Sequence, residues 1–163
     1  MRVLIRKNDS ETVPDREHGV MITVRPAEPE DLEIIIRIAD ACEMSHALPT
    51  ENCLIAFEDS WPVGFMRLEF VNAVPYVRPI AVLPAKRGKG VAKRLLGIVL
   101  AKFGEVRVVS RGTATEFYRS LGFQRMSWDE VYSPFRGECQ QCSDREDCSP
   151  LPMVRPATSE FRL

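Results

Sequence analysis

The chain has 163 residues, 45% of them hydrophobic and 28% charged, with a formal net charge of -1. That length suits one domain with a substantial core, and the near-neutral balance gives no basis for nucleic-acid binding. No apolar run approaches a membrane span, and Arg2, Arg6, Lys7, Asp9 and Glu11 leave no apolar core for a secretory signal, so the expected location is cytoplasmic.

Residues 1–20 read as a flexible leader with room for one short added strand, residues 21–132 as the folded domain, and residues 133–163 as a cysteine-containing tail. Ile22–Arg25 alternates like a strand and Pro26 ends it. Pro29 followed by Glu30 and Asp31 marks a helix start, and Leu32, Ile35, Ile36 and Ala39 are expected on its buried face. Residues 43–51 read as a loop or a short second helix. Cys53–Glu58, Val63–Val71 and Tyr76–Leu83 read as three strands with turns between them. A helix follows, with Val91, Leu95, Leu96, Val99 and Phe103 as its apolar face. Glu105–Ser110 reads as a strand, Thr113–Leu121 as a helix capped by Gly122, and Phe123 as the start of a last strand. This order predicts an α/β (α+β) domain, a mixed central sheet with helices on both faces.

The most informative stretch joins the fourth strand to the next helix: Val82-Leu83-Pro84-Ala85-Lys86-Arg87-Gly88-Lys89-Gly90-Val91-Ala92-Lys93. Gly88 and Gly90 let the backbone approach a bulky anion and turn its N–H groups toward it. The helix start adds unpaired N–H groups and the positive end of its dipole. Together these predict a pyrophosphate cradle. A P-loop would need Gly-Lys-Ser/Thr after the second glycine, and a dinucleotide fingerprint would need glycine where Lys93 stands.

The pattern Arg87-x-x-Gly90-x-Ala92, preceded by Val82-x-Pro84, resembles the acetyl-CoA loop of the GNAT superfamily of N-acetyltransferases. The resemblance extends to Phe117-Tyr118-Arg119-Ser120-Leu121-Gly122-Phe123, where the family has an aromatic-Tyr pair and then Leu-Gly-Phe. It implies a GNAT-like fold and acetyl-CoA as cosubstrate. Backbone N–H groups from Gly88 to Lys93 (Gly88, Lys89, Gly90, Val91, Ala92, Lys93) would hold the phosphates, with added charge from Arg87. Ile80, Ala81 and Val82 would pair with the pantetheine arm, and Tyr118 would protonate the departing sulfur. Arg111 stands where many relatives have an asparagine that contacts CoA, a departure from the family pattern. In this family the amine attacks directly, without an acyl-enzyme.

A lysine-like amine is only about 0.1% neutral at pH 7.4, so direct attack needs a base or a water chain. Glu69 is the candidate base; His18 and His46 are weaker ones. The tail carries Cys139, Cys142 and Cys148 in C-x2-C-x5-C spacing, three candidate zinc ligands with no obvious fourth. The tail also resembles that of short bacterial N-acetylglutamate synthase-like proteins. Those relatives carry an arginine where Arg78 stands, and a two-point fork there would hold a substrate carboxylate. The expected activity is acetyl transfer to a small-molecule amine, with glutamate the leading acceptor. A protein or peptide acceptor, and a non-catalytic acyl-CoA sensor with a metal- or redox-responsive tail, remain as alternatives. Homodimerisation stays open.

Overall fold

Residues 5–17, 19–44 and 50–157 are described by the structure, a computed structural model. His18, His46 and most of the loop expected at 43–51 lie outside the described residues. The chain divides into two compact units: Met1–Glu69 with Arg78–Lys102, and Phe70–Val77 with Phe103–Leu163.

In the first unit, β1 (Glu11–Asp15), β2 (Val20–Pro26), β3 (Cys53–Glu58) and β4 (Trp61–Val71) pair antiparallel in sequence order. The leader thus contributes a strand, and its flank is fastened to the long helix of this unit, α2 (Val91–Lys102), by Asp9–Lys102 and Glu11–Arg94 ion pairs. β3 is a continuous apolar run because it is covered on both faces: Cys53, Leu54, Ile55 and Ala56 are all buried. Helix α1 (Leu32–Ala41) packs Ile35, Ile38 and Ala39 against Cys53, Ile55, Phe65 and Ala81. Leu32, expected on that face, is exposed, and Ile38 takes its place. The inward stripe therefore runs Ile35, Ile38, Ala39, three and four residues apart.

In α2, Val91, Leu95, Leu96 and Val99 are buried as their spacing requires. Phe103 falls beyond the helix end and meets the Phe70 ring at 5.4 Å within the second unit.

β5 (Val74–Val82) follows β4 through a two-residue turn, Asn72 and Ala73, both with positive φ. That is the type I′ geometry favoured by strand twist. In the second unit β5 pairs in parallel with β6 (Val106–Ser110) at Tyr76 and Val77. A short helix α3 (Thr115–Ser120) and a two-residue strand β7 (Gln124–Arg125) come next, then α4 (Ser133–Gln141), α5 (Arg145–Cys148) and β8 (Leu151–Arg155). The strand expected at Phe123 is not the last. β8 comes from the segment read as a tail and lies between β6 and β7, antiparallel to both.

The core of this unit gathers Tyr76, Met126, Val131 and Phe135. The Tyr76 hydroxyl accepts from Arg107 Nη1 at 3.1 Å and from the Tyr132 N–H at 3.3 Å, which satisfies its polar end inside the cluster. Through β4 and β5, which run from one unit into the other, the strand order reads β1-β2-β3-β4-β5-β6-β8-β7. This is the mixed sheet that the element order predicts. No helix among the described residues is long and apolar enough to cross a membrane.

Candidate active site

The glycine loop begins where β5 ends. The Leu83 N–H donates to Val63 C=O at 2.9 Å, and Pro84–Lys86 form a tight 3-10 turn. Gly88 (φ 78) and Gly90 (φ 83) then take left-handed conformations that an L side chain rarely adopts. A Cβ at either would meet nothing within 4 Å, so the glycines serve backbone shape and leave the space above them open.

Among the described residues, no acceptor is found for the backbone N–H groups from Gly88 to Lys93. The first helical bond is Arg94 N–H to Gly90 C=O at 3.1 Å. The first turn of α2 carries no acidic residue. A run of unbonded N–H groups at the positive end of a twelve-residue helix, with Lys89 and Lys93 beside it, fits a pyrophosphate. Arg87 differs from expectation in part: its Nε turns back to Val82 C=O at 3.0 Å, so it also braces the strand end. The same carbonyl accepts from the Cys42 thiol at 3.4 Å.

Gly64 of β4 sets how close these elements come. A Cβ there would lie 2.8 Å from Ala81 C=O and 3.3 Å from Val91 Cγ1, so β4 passes too near β5 and the α2 start to carry a side chain. Along β5, Ala81 and Val82 are buried and Ile80 half-buried.

Glu69 and Arg78 belong to the same unit and touch each other. Glu69 Oε1 lies 2.6 Å from Arg67 Nη1, and Oε2 lies 3.2 Å from Arg78 Nε. Arg67 Nη1 also donates to Arg78 C=O at 3.2 Å. Sequence reasoning missed Arg67. It sits two residues before Glu69, which on a strand is the same face, so the period-two rule marks it as a neighbour. Cys53 stands opposite Arg67 in the β3–β4 register. Burial pushes its thiol up to about 12, against the pull of the nearby Arg67 charge.

Tyr118 lies in the second unit, on α3. It is 4% exposed, with its ring edge-on to Phe117 and Phe123 at 5.2 Å each. Burial pushes its phenol well above the usual tyrosine value, so the hydroxyl keeps its proton. No hydrogen-bond partner for that hydroxyl occurs among the described residues. Leu121 and Phe123 N–H groups both donate to the Tyr118 carbonyl, which fixes the short helix end beneath the ring.

The expected zinc site is not formed. Among the described residues, no group of three or more His, Cys, Asp or Glu side chains could hold a metal. Cys139 lies within α4, Cys142 is its C-terminal cap, and Cys148 ends α5. Spacing alone suggested a shared ion, and these positions on α4 and α5 do not assemble one among the described residues. None of the five cysteines is in a disulfide.

Residues 49–125 match the family model of the acetyltransferase (GNAT) domain. The matched span takes in the glycine loop, Glu69, Arg78 and Tyr118. An uncharacterized protein of Mycobacterium leprae is 42% identical over 81 residues, which is 45% of this chain and 22% of that protein. Among solved structures, N-acetylglutamate synthase from Neisseria gonorrhoeae, complexed with coenzyme A and N-acetyl-glutamate, superposes with a TM-score of 0.69 at 18% identity. The match covers 84% of this chain and 35% of that one. The ribosomal-protein-S18-alanine N-acetyltransferase from Escherichia coli gives a TM-score of 0.60 at 18% identity, covering 88% and 99%. The chain thus spans less than a quarter of the curated relative and about a third of the synthase. Its fold is GNAT-like.

Proposed function

We propose that the protein is an acetyl-CoA-dependent N-acetyltransferase whose acceptor is a small amine bearing a carboxylate, such as an amino acid. The observation that carries the cosubstrate is the loop: unbonded N–H groups from Gly88 to Lys93, opened by two left-handed glycines. The solved structures of the same fold that hold coenzyme A support it. Ile80, Ala81 and Val82 lie beyond the point where the β5–β6 ladder stops, which suits an extended ligand adding like a strand.

In the proposed reaction the acceptor nitrogen attacks the thioester carbonyl carbon and the carbon–sulfur bond breaks. A backbone N–H near Val82 polarises the carbonyl oxygen; one such donor is worth roughly 10²–10³ in rate. Tyr118 gives its proton to the departing sulfur, and the nitrogen releases a proton through water.

The acceptor class rests on Arg67 and Arg78, whose guanidinium groups flank Glu69 in the same unit as the loop. A carboxylate-bearing amine suits two guanidinium groups. The test is CoA release from acetyl-CoA across amino acids, polyamines, aminoglycosides and short peptides. A selective signal with glutamate or another amino acid supports the reading. Turnover confined to peptides moves the acceptor to a protein N-terminus, and failure to bind acetyl-CoA removes the cosubstrate assignment.

A further inference from the structure

We infer that Glu69 is a positioning residue for the acceptor-holding arginines, not the group that takes the amine's proton. The inference rests on the acceptor reading above. Both oxygens of the Glu69 carboxylate are committed, one to Arg67 Nη1 at 2.6 Å and the other to Arg78 Nε at 3.2 Å. Arg67 in turn donates to the backbone carbonyl of Arg78 at 3.2 Å. The three residues form a closed frame: β4 supplies Arg67 and Glu69 from one face, and β5 supplies Arg78 by both its side chain and its main chain.

The frame has two consequences. An arginine side chain free to rotate loses rotamer entropy when a ligand fixes it, and the Glu69 contact removes part of that cost beforehand. Second, the Glu69 carboxylate stands in an ion pair with each arginine, so a neutral group in its place would leave two guanidinium groups facing each other in a partly buried setting. The side chains of Arg67, Glu69 and Arg78 are 13%, 28% and 23% exposed. Cys53, opposite Arg67, is a buried neutral thiol and offers no substitute charge. The frame therefore orients Arg78 and Arg67 toward an acceptor's carboxylate.

The test uses the full chain, with N-acetylglutamate as the probe and its diamide as the uncharged control. Calorimetric titration into protein saturated with CoA gives affinity without turnover. Acceptor kinetics from about pH 6 to 9 give the rest. Glu69→Gln should weaken probe binding about tenfold or more and raise the acceptor KM. It should leave kcat within about threefold and the shape of its pH profile unchanged.

A kcat loss of about 100-fold with loss of the acidic limb and unaltered probe affinity makes Glu69 the base and overturns the inference. Equal probe affinity in parent and variant overturns it as well. If Glu69→Gln does not fold, Glu69→Asp takes its place: weaker probe binding with kcat within about threefold supports the frame, and unchanged probe binding overturns it. A parent protein that binds CoA but not the probe ends the inference and leaves the cosubstrate assignment standing. A parent that binds neither ends the cosubstrate assignment itself.

Discussion

Tyr118 holds its hydroxyl on a ring that is almost wholly enclosed, with Phe117 and Phe123 edge-on to it. Phenylalanine fills nearly the same volume, so Tyr118→Phe should fold normally. Initial-rate kinetics should show kcat lowered about 10²-fold with the acetyl-CoA KM little changed, and an unaltered kcat would remove Tyr118 as the acid. Gly90 answers a different demand. It has open space around it, so a larger residue meets no clash; what it loses is the left-handed backbone. Gly90→Val should therefore leave the core intact and weaken acetyl-CoA binding at least about tenfold, read by calorimetry. Arg67 shows what sequence reading passes over at this scale. Nothing in its type marks it; its place two residues before Glu69 on β4 puts the two on one face, where they form an ion pair.

At the level of elements, the start of α1 stands on one ion pair. Arg25 grips Asp31 with two bonds of 2.7 and 3.0 Å, and Asp31 also accepts from the Glu28 N–H at 2.8 Å. The Arg25 bond, with the backbone N–H, holds the Asp31 carboxyl below its ordinary value despite its burial. A carboxyl lowered in the folded state adds stability above the unfolded value near 3.8, and that stability is lost as pH falls through the folded value. Asp31→Asn should thus lower stability by about 1–2 kcal/mol at neutral pH, a figure reduced for the part-exposed arginine. Thermal melts as a function of pH should show the gap between parent and variant holding down to about pH 4 and closing below it.

Long, locally determined elements are legible in the sequence. Cys53–Glu58 and the apolar face of α2 follow from runs and spacings that need no distant partner. The glycine loop is legible too, since its shape is written in adjacent residues. β7 and β8 are not. β7 has two residues, too few for any alternation, and β8 carries Pro152 and owes its place to strands far away in the chain. The cysteine spacing suggests convergence, yet among the described residues no group of side chains assembles as a metal site.

At the scale of the whole molecule, the segment beyond Gly122 is part of the domain's sheet. Met153 is fully buried, and β8 pairs with five residues of β6. A chain ending at Ser149 should lose cooperative melting of the second unit, detected as protease cleavage within residues 103–149 under conditions where the parent resists. A parent-like melt would show β8 to be dispensable. Since the described cysteines make no metal group, treatment with a chelator should leave the melting temperature and activity unchanged. A drop in either would reinstate a metal.

The insertion of β8 between β6 and β7 also bears on how the molecule is made. A ribosome releases β6 and β7 before β8, yet among the described residues β7 pairs only with β8. Each nascent chain therefore passes through a stage in which β6 shows an open edge and β7 has no neighbour, until Arg155 has emerged. Domains that finish N-terminal parts first are exposed to aggregation at such gaps. Stalled or prematurely terminated chains of this protein should be the ones that chaperones retain.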